Sequence, residues 1–189
     1  MQAIYLTYRP GPGNFPYLPR PKFPIMPTHS AIELQFDTAS AYRARDLTAF
    51  EQRMDHWLQH TIRNGRGRNY GQALHMYHTY RGLFALEADR VEEAKLHLLQ
   101  SAGIPRSPVV FAFGPNMLLA KQLLERGERL VLYQFFSLCK LCWWFPFRWY
   151  RVAQWRGALL RGELPDFGGN LYYHMGDPPP WVRAKNPAP

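Results

Sequence analysis

Two histidine pairs stand at spacings that a metal ion uses on a helix. His56 and His60 are four residues apart and His75 and His78 three apart, so two neighbouring helices would gather four imidazoles. Helical phase argues against such a centre. At about 100° per residue, His56 and His60 fall opposite the row Leu47, Phe50, Met54, Trp57, and His75 and His78 fall away from Ala73, Tyr77, Tyr80, Phe84. Both pairs are therefore expected on outer faces, solvated. No Glu-x-x-His accompanies them, as bundle metal sites require.

Cys139-Lys-Leu-Cys142 is a Cys-x-x-Cys, and these are the chain's two cysteines. Alone it cannot form a four-thiolate zinc site, and no His follows it for haem attachment. It lies inside an apolar helical run, not at a helix N-terminus after a strand, where redox pairs sit. Cys139 shares its phase with Leu132, Phe135, Phe136 and Trp143, so buried thiols are expected. Asp166-Phe167-Gly168, within PDFGGN, has no glycine-rich loop or His-Arg-Asp partner and reads as a turn. Gly-x-Ser-x-Gly, His-Glu-x-x-His and the phosphate loop Gly-x-x-x-x-Gly-Lys-Ser/Thr are all missing from the sequence. No catalytic residue is nominated, and no cofactor or metal is expected.

The stretch KLCWWFPFRWYRVAQWRGALLR carries Lys140, Arg148, Arg151, Arg156 and Arg161 with no acidic residue. Trp143, Trp144, Phe145, Phe147, Trp149, Tyr150 and Trp155 interleave with them. Cations neutralise phosphates and aromatic faces stack on unpaired bases. The same mixture suits a protein hot spot, a lipid interface, or an aromatic core with arginines on its rim. RNGRGR adds Arg63, Arg66 and Arg68 beside two glycines that bare backbone donors, either an anion-binding loop or a solvated turn. The candidate partner-contact set is Arg63, Arg66, Arg68, Trp144, Arg148, Trp149, Arg151, Trp155 and Arg156.

The whole chain has 189 residues, 23 basic against 14 acidic, for a net charge of +9. That balance favours anionic partners: an acidic protein, nucleic acid or anionic lipid. Hydrophobic residues at 47% and charged ones at 20% exclude a wholly disordered chain. Two cysteines exclude a disulfide framework. The opening MQAIYLTYRPGPG lacks a basic segment followed by an apolar core, so no secretory signal is expected and the cytoplasm is the default compartment. The longest apolar run, Leu130 to Phe147, carries Gln134, Ser137 and Lys140 along one side and is broken by Pro146. It is amphipathic, and no membrane span is expected.

Helical periodicity supplies the elements that would hold these residues. Leu47, Phe50, Met54, Trp57, Leu58 and Ile62 form one stripe, predicting a helix over about Ala41–Arg63. Further helices are predicted over Tyr70–Ala88, Val91–Ser101, Pro115–Arg126, Glu128–Phe145 and Arg148–Arg161, punctuated by Gly103, Pro105 and Gly127. SPVVFAFGP reads as a short apolar connector, with extended backbone the expectation. Prolines crowd the two ends, 7 of the 17 lying in residues 1–30 and 5 in 177–189, and such stretches form neither regular helix nor central strand. The predicted organisation is a Pro-rich arm over 1–37, a helical domain over 38–173 and a Pro-rich tail over 174–189.

Two helix pairs look alike: YRGLFALEADRVEEAKLHLLQSAG and NMLLAKQLLERGERLVLYQFFSLC. Gly82, Ala94 and Leu98 place small residues where two helix axes approach, and their offsets resemble those of the tetratricopeptide repeat. His78 replaces that family's early large aromatic, and Arg81 stands where an apolar residue is usual. FGPNMLLAKQLLERGE and LPDFGGNLYY, with the preceding hairpin, resemble a group of uncharacterised bacterial proteins related to tetratricopeptide repeats, over roughly Leu74–Tyr173. The resemblance implies a helical fold and brings no catalytic residues to carry over.

The fold expected is therefore all-α, stacked antiparallel helical hairpins with Pro-rich terminal arms. The function expected is a non-catalytic interaction module for an acidic protein or peptide. The alternatives are a basic nucleic-acid-binding accessory protein using Arg63, Arg66, Arg68, Arg148, Arg151 and Arg156, and a metal-dependent enzyme centred on the histidines.

Overall fold

The computed structural model describes residues 30–64, 69–144, 147–173 and 175. They form eight α-helices and one 3₁₀ turn, and no strand occurs among the described residues. The all-α expectation holds. Most of both Pro-rich arms, with Arg66 and Arg68, lies outside the described residues.

Helix α1 (Ala31–Arg43) opens on a reciprocal cap. The Ser30 hydroxyl accepts from the Glu33 amide, and the Glu33 carboxylate accepts from the Ser30 amide at 2.6 Å. The helix thus begins inside the segment 1–37 assigned to the arm. It ends at Arg43, within the single helix read over Ala41–Arg63, and α2 (Leu47–Asn64) restarts after Asp46, whose carboxylate accepts from the Ala49 amide at 2.8 Å. The break is made by Arg45 in the left-handed region, φ 59°. Its amide donates to the Tyr42 carbonyl while the Asp46 amide donates to Ala41, a Schellman closure. The same closure ends α3 (Tyr70–Glu87) through Asp89, α6 (Leu118–Glu125) through Gly127 and α8 (Phe147–Leu160) through Gly162.

Between these, α4 (Val91–Ala102) follows α3 as an antiparallel partner. SPVVFAFGP is not extended but the short helix α5 (Pro108–Phe113). The Ser107 hydroxyl accepts from the Val110 amide, and Pro108 takes the first-turn position where a missing N–H is harmless. Helix α6 starts at Leu118, later than Pro115, because the Asn116 side chain caps it by accepting from the Leu118 amide at 2.8 Å. Helix α7 (Arg129–Cys142) completes the set.

Helix α3 is central. It packs against α2, α4, α5 and α6, and residues all round its circumference are buried. Two aromatic clusters lock the ends of the stack. Tyr42, Phe50, Tyr80 and Phe84 interlock across α1–α3 with centroids 4.9–5.5 Å apart. Phe136, Trp143, Trp155 and Phe167 join α7 and α8 to the following loop.

The segment after α8 folds back over the α5–α6 junction. Asn170 donates through Nδ2 to the Phe113 and Pro115 carbonyls, and its own carbonyl accepts from the Met117 amide at 2.9 Å. Asn116 donates to the Tyr173 carbonyl at 2.8 Å. Asn116→Ala leaves that part-buried carbonyl and the Leu118 amide without partners. Its expected cost is about 2 kcal/mol, read as a lowered urea midpoint at unchanged slope.

Candidate protein-interaction face

Helices α7 and α8 run antiparallel, and three contacts fix their register. Arg129 Nη1 donates to the Leu159 carbonyl at 3.3 Å, the Arg156 guanidinium lies over the Tyr133 ring at 6.0 Å, and Arg148 Nη1 donates to the Lys140 carbonyl at 2.8 Å. The inner faces carry the apolar stripe that makes each helix amphipathic: Leu132, Phe135, Phe136 and Cys139 on α7, Trp155 and Leu159 on α8. The outer faces are not the polar surface such helices usually present. Leu130 is 81%, Leu160 78% and Trp149 63% exposed, with Leu141, Tyr150 and Trp144 open to solvent beside them.

The electrostatics are one-sided. Neither helix contains an Asp or Glu, against Arg129, Lys140, Arg148, Arg151 and Arg156. Arg129 also donates to the Gly162 carbonyl, so it caps the end of α8, and Arg148 caps the end of α7. Arg161 is held by Glu163 at 2.7 Å. Lys140, Arg151 and Arg156 form no ion pair with a described carboxylate and remain as positive charge among exposed apolar side chains. Large apolar surface mixed with Trp, Tyr and Arg is the composition of a binding hot spot.

No protein-family model, curated protein or solved structure matches the chain.

The residues nominated from sequence divide. Trp144, Trp149, Arg151 and Arg156 are exposed on or beside this face. Trp155 is not: it is 1% exposed, stacks on Trp143 at 5.6 Å and donates Nε1–H to the Asp166 carbonyl. It belongs to the core, because the α8 phase that turns Trp149 outward turns Trp155 inward. The Arg148 guanidinium is engaged in capping. Arg63 is exposed near the end of α2. The exposed leucines 130, 141 and 160 were missed, although their isolation from each helix's buried stripe was a readable signal.

His75 and His78 correct the outward assignment, while His56 and His60 lie half-buried on α2. His75 is completely buried. Its Nε2 accepts from the Asn116 amide at 2.8 Å, so its Nδ1 carries the hydrogen donated to the Ser101 carbonyl, also 2.8 Å away. Burial pushes its pKa down to about 4, against the smaller upward pull of the Ser101 carbonyl. His78 is half-buried, its Nδ1 3.1 Å from Nδ1 of His97 on α4, and burial together with the neighbouring imidazoles pushes it to about 3. Phase failed here because α3 has neighbours on every side and hence no solvent face at His75. Among the described residues no three His, Cys, Asp or Glu side chains gather around one point. Cys139 and Cys142 are buried free thiols, and burial pushes Cys139 well above the usual range. No described helix is long and apolar enough to cross a membrane.

Proposed function

We propose that the protein is a non-catalytic helical-repeat interaction module that binds an acidic protein or peptide through α7 and α8. The observation that carries this is the α7–α8 outer surface, where cations without a described carboxylate partner and exposed Leu and Trp side chains occur together with no carboxylate on either helix. The helical-hairpin core supports a tetratricopeptide-like relationship. A Cβ at Gly82 would come 2.3 Å from Leu119 Cδ2 of α6 and 3.2 Å from His97 Cβ of α4, and Ala94 and Leu98 are buried on α4. Small residues at such positions let helix axes approach. The free thiols suit the reducing cytoplasm as the working compartment.

The test is affinity capture from native cell extract with the full chain as bait, quantified by mass spectrometry at low and high salt. Capture of an acidic protein, reduced about ten-fold by Trp149→Ala, is the expected result. Trp149 is exposed, so this variant keeps the helical circular dichroism of the parent. Undiminished capture by Trp149→Ala, or capture abolished by nuclease, overturns the proposal.

A further inference from the structure

We infer that the seam between α7 and α8 is a groove for an acidic amphipathic α-helix of about three turns. This rests on the interaction-module reading and adds the form of the partner.

The three register contacts place the start of α7 beside the end of α8. The Arg156 guanidinium reaches from α8 over the half-buried Tyr133 ring of α7, which lies between the two helices at the base of the seam. Helical phase raises one wall on each side of it. On α7, Leu130, Gln134, Ser137 and Leu141 share a row, and all are exposed. On α8, Trp149, Ala153, Arg156 and Leu160 share a row, and all are exposed. Each wall thus begins and ends on a large apolar side chain, and each pair is eleven residues apart, about 16 Å along the axis. Both walls are polar or small in the middle. A helix with apolar side chains at i, i+4, i+7 and i+11 spans the same length. Its outer anchors meet Leu130 and Leu160 at one end and Leu141 and Trp149 at the other.

Charge decides the occupant. Arg156 in the middle of the α8 wall and Lys140 beside the start of α8 have no described carboxylate partner, so an occupant carrying Asp or Glu beside its apolar row gains from both. A second copy of the chain placed face to face sets Arg156 against Arg156. The chain's own terminal segments do not complement the seam either. Residues 1–29 carry Arg9, Arg20 and Lys22 without an acidic residue, and residues 176–189 carry Asp177 against Arg183 and Lys185. Three of the four wall ends are leucines, which fit an apolar helix face, and Trp149 is the one wall residue on which a base could stack, so the oligonucleotide is the competing occupant that the test includes.

The experiment uses the full-length chain and three fluorescein-labelled 18-residue probes followed by anisotropy. The first is an Ala-based helix with Leu at positions 4, 8, 11 and 15 and Glu on both flanks of that row. The second has Pro at position 9, and the third has Lys for every Glu. A labelled 18-mer of thymidine is run beside them. The first peptide is expected to bind saturably. The Pro and Lys peptides bind at least about ten-fold more weakly, and Leu141→Ala and Trp149→Ala each weaken the first by about ten-fold. Leu96→Ala, on the exposed side of α4, leaves binding unchanged. Equal binding of the Pro peptide overturns the helical groove while leaving the acidic-partner reading intact. Tighter binding of the oligonucleotide, weakened by Trp149→Ala, overturns both. No binding by any probe overturns the groove, and the capture experiment then decides the module reading separately.

Discussion

His75→Ala is expected to lower the free energy of unfolding by about 4 kcal/mol. The side chain is fully buried at the centre of α3 and joins three elements. Its removal strands the Ser101 carbonyl at the end of α4 and the Asn116 amide before α6, both at 2.8 Å from the ring. Each buried group left without a partner costs about 1–3 kcal/mol, and the vacated ring volume adds a cavity term. Urea denaturation followed by circular dichroism measures it. A loss below about 1 kcal/mol would show that water or a side-chain shift replaces both bonds. The same site contributes, beside the similarly shifted His78, to the acid sensitivity of the fold. With Nε2 accepting, a second proton would point N–H at N–H. The folded pKa, about 4, lies below the unfolded value of 6.5. The unfolded chain therefore takes up the proton first as pH falls. The contribution of neutral His75 is complete above about pH 6.5 and is lost progressively between there and about pH 4, a change of about 3 kcal/mol. The urea midpoint should decline across that window in the parent, with a flatter profile in His75→Ala.

Gly71→Ala is expected to destabilise by about 3 kcal/mol or more, reversing the ordinary sign of that change within a helix, where Ala gains up to about 1 kcal/mol over Gly. A Cβ on Gly71 would fall 2.0 Å from the Pro105 carbonyl oxygen and 3.0 Å from its carbon. Both are backbone atoms, so no rotamer change relieves the contact. Either α3 or the 103–107 loop must move, and that loop carries the buried Ile104 and Ser107. Gly157→Ala is the control. Its nearest neighbour is the flexible Arg161 Nη1 at 3.4 Å, and a small gain in stability is expected. A neutral Gly71→Ala would mean the α3–loop approach is looser than these distances.

What the sequence made legible follows from where the punctuation is carried by special residues. The turn between α6 and α7 was readable because Gly127 adopts the left-handed conformation it suits. The turn between α1 and α2 was not, because Arg45 adopts the same conformation without a glycine to advertise it. Helices α3, α4, α7 and α8 were placed to within a few residues because their apolar spacing is long and regular. The connector 107–115 was misread because six apolar residues have no resolvable period, and its Ser-Pro start was the better signal. At the candidate face the cations were legible as a run without carboxylates. Sorting Trp149 from Trp155 needed the phase of α8, which begins only after Pro146. His75 was misplaced because a phase argument presumes one wet side, and a helix surrounded by four others has none there.

The strap from Asp166 to Met175 has a consequence for synthesis on the ribosome. The Asn116 amide group, the Met117 amide and the Pro115 and Phe113 carbonyls find their partners in residues translated some fifty positions later. Arg43 of α1 likewise donates to the Met175 carbonyl at 3.0 Å. A nascent chain that has emerged only as far as α8 therefore has the α5–α6 junction still unsealed, its polar groups left to water until the strap is made.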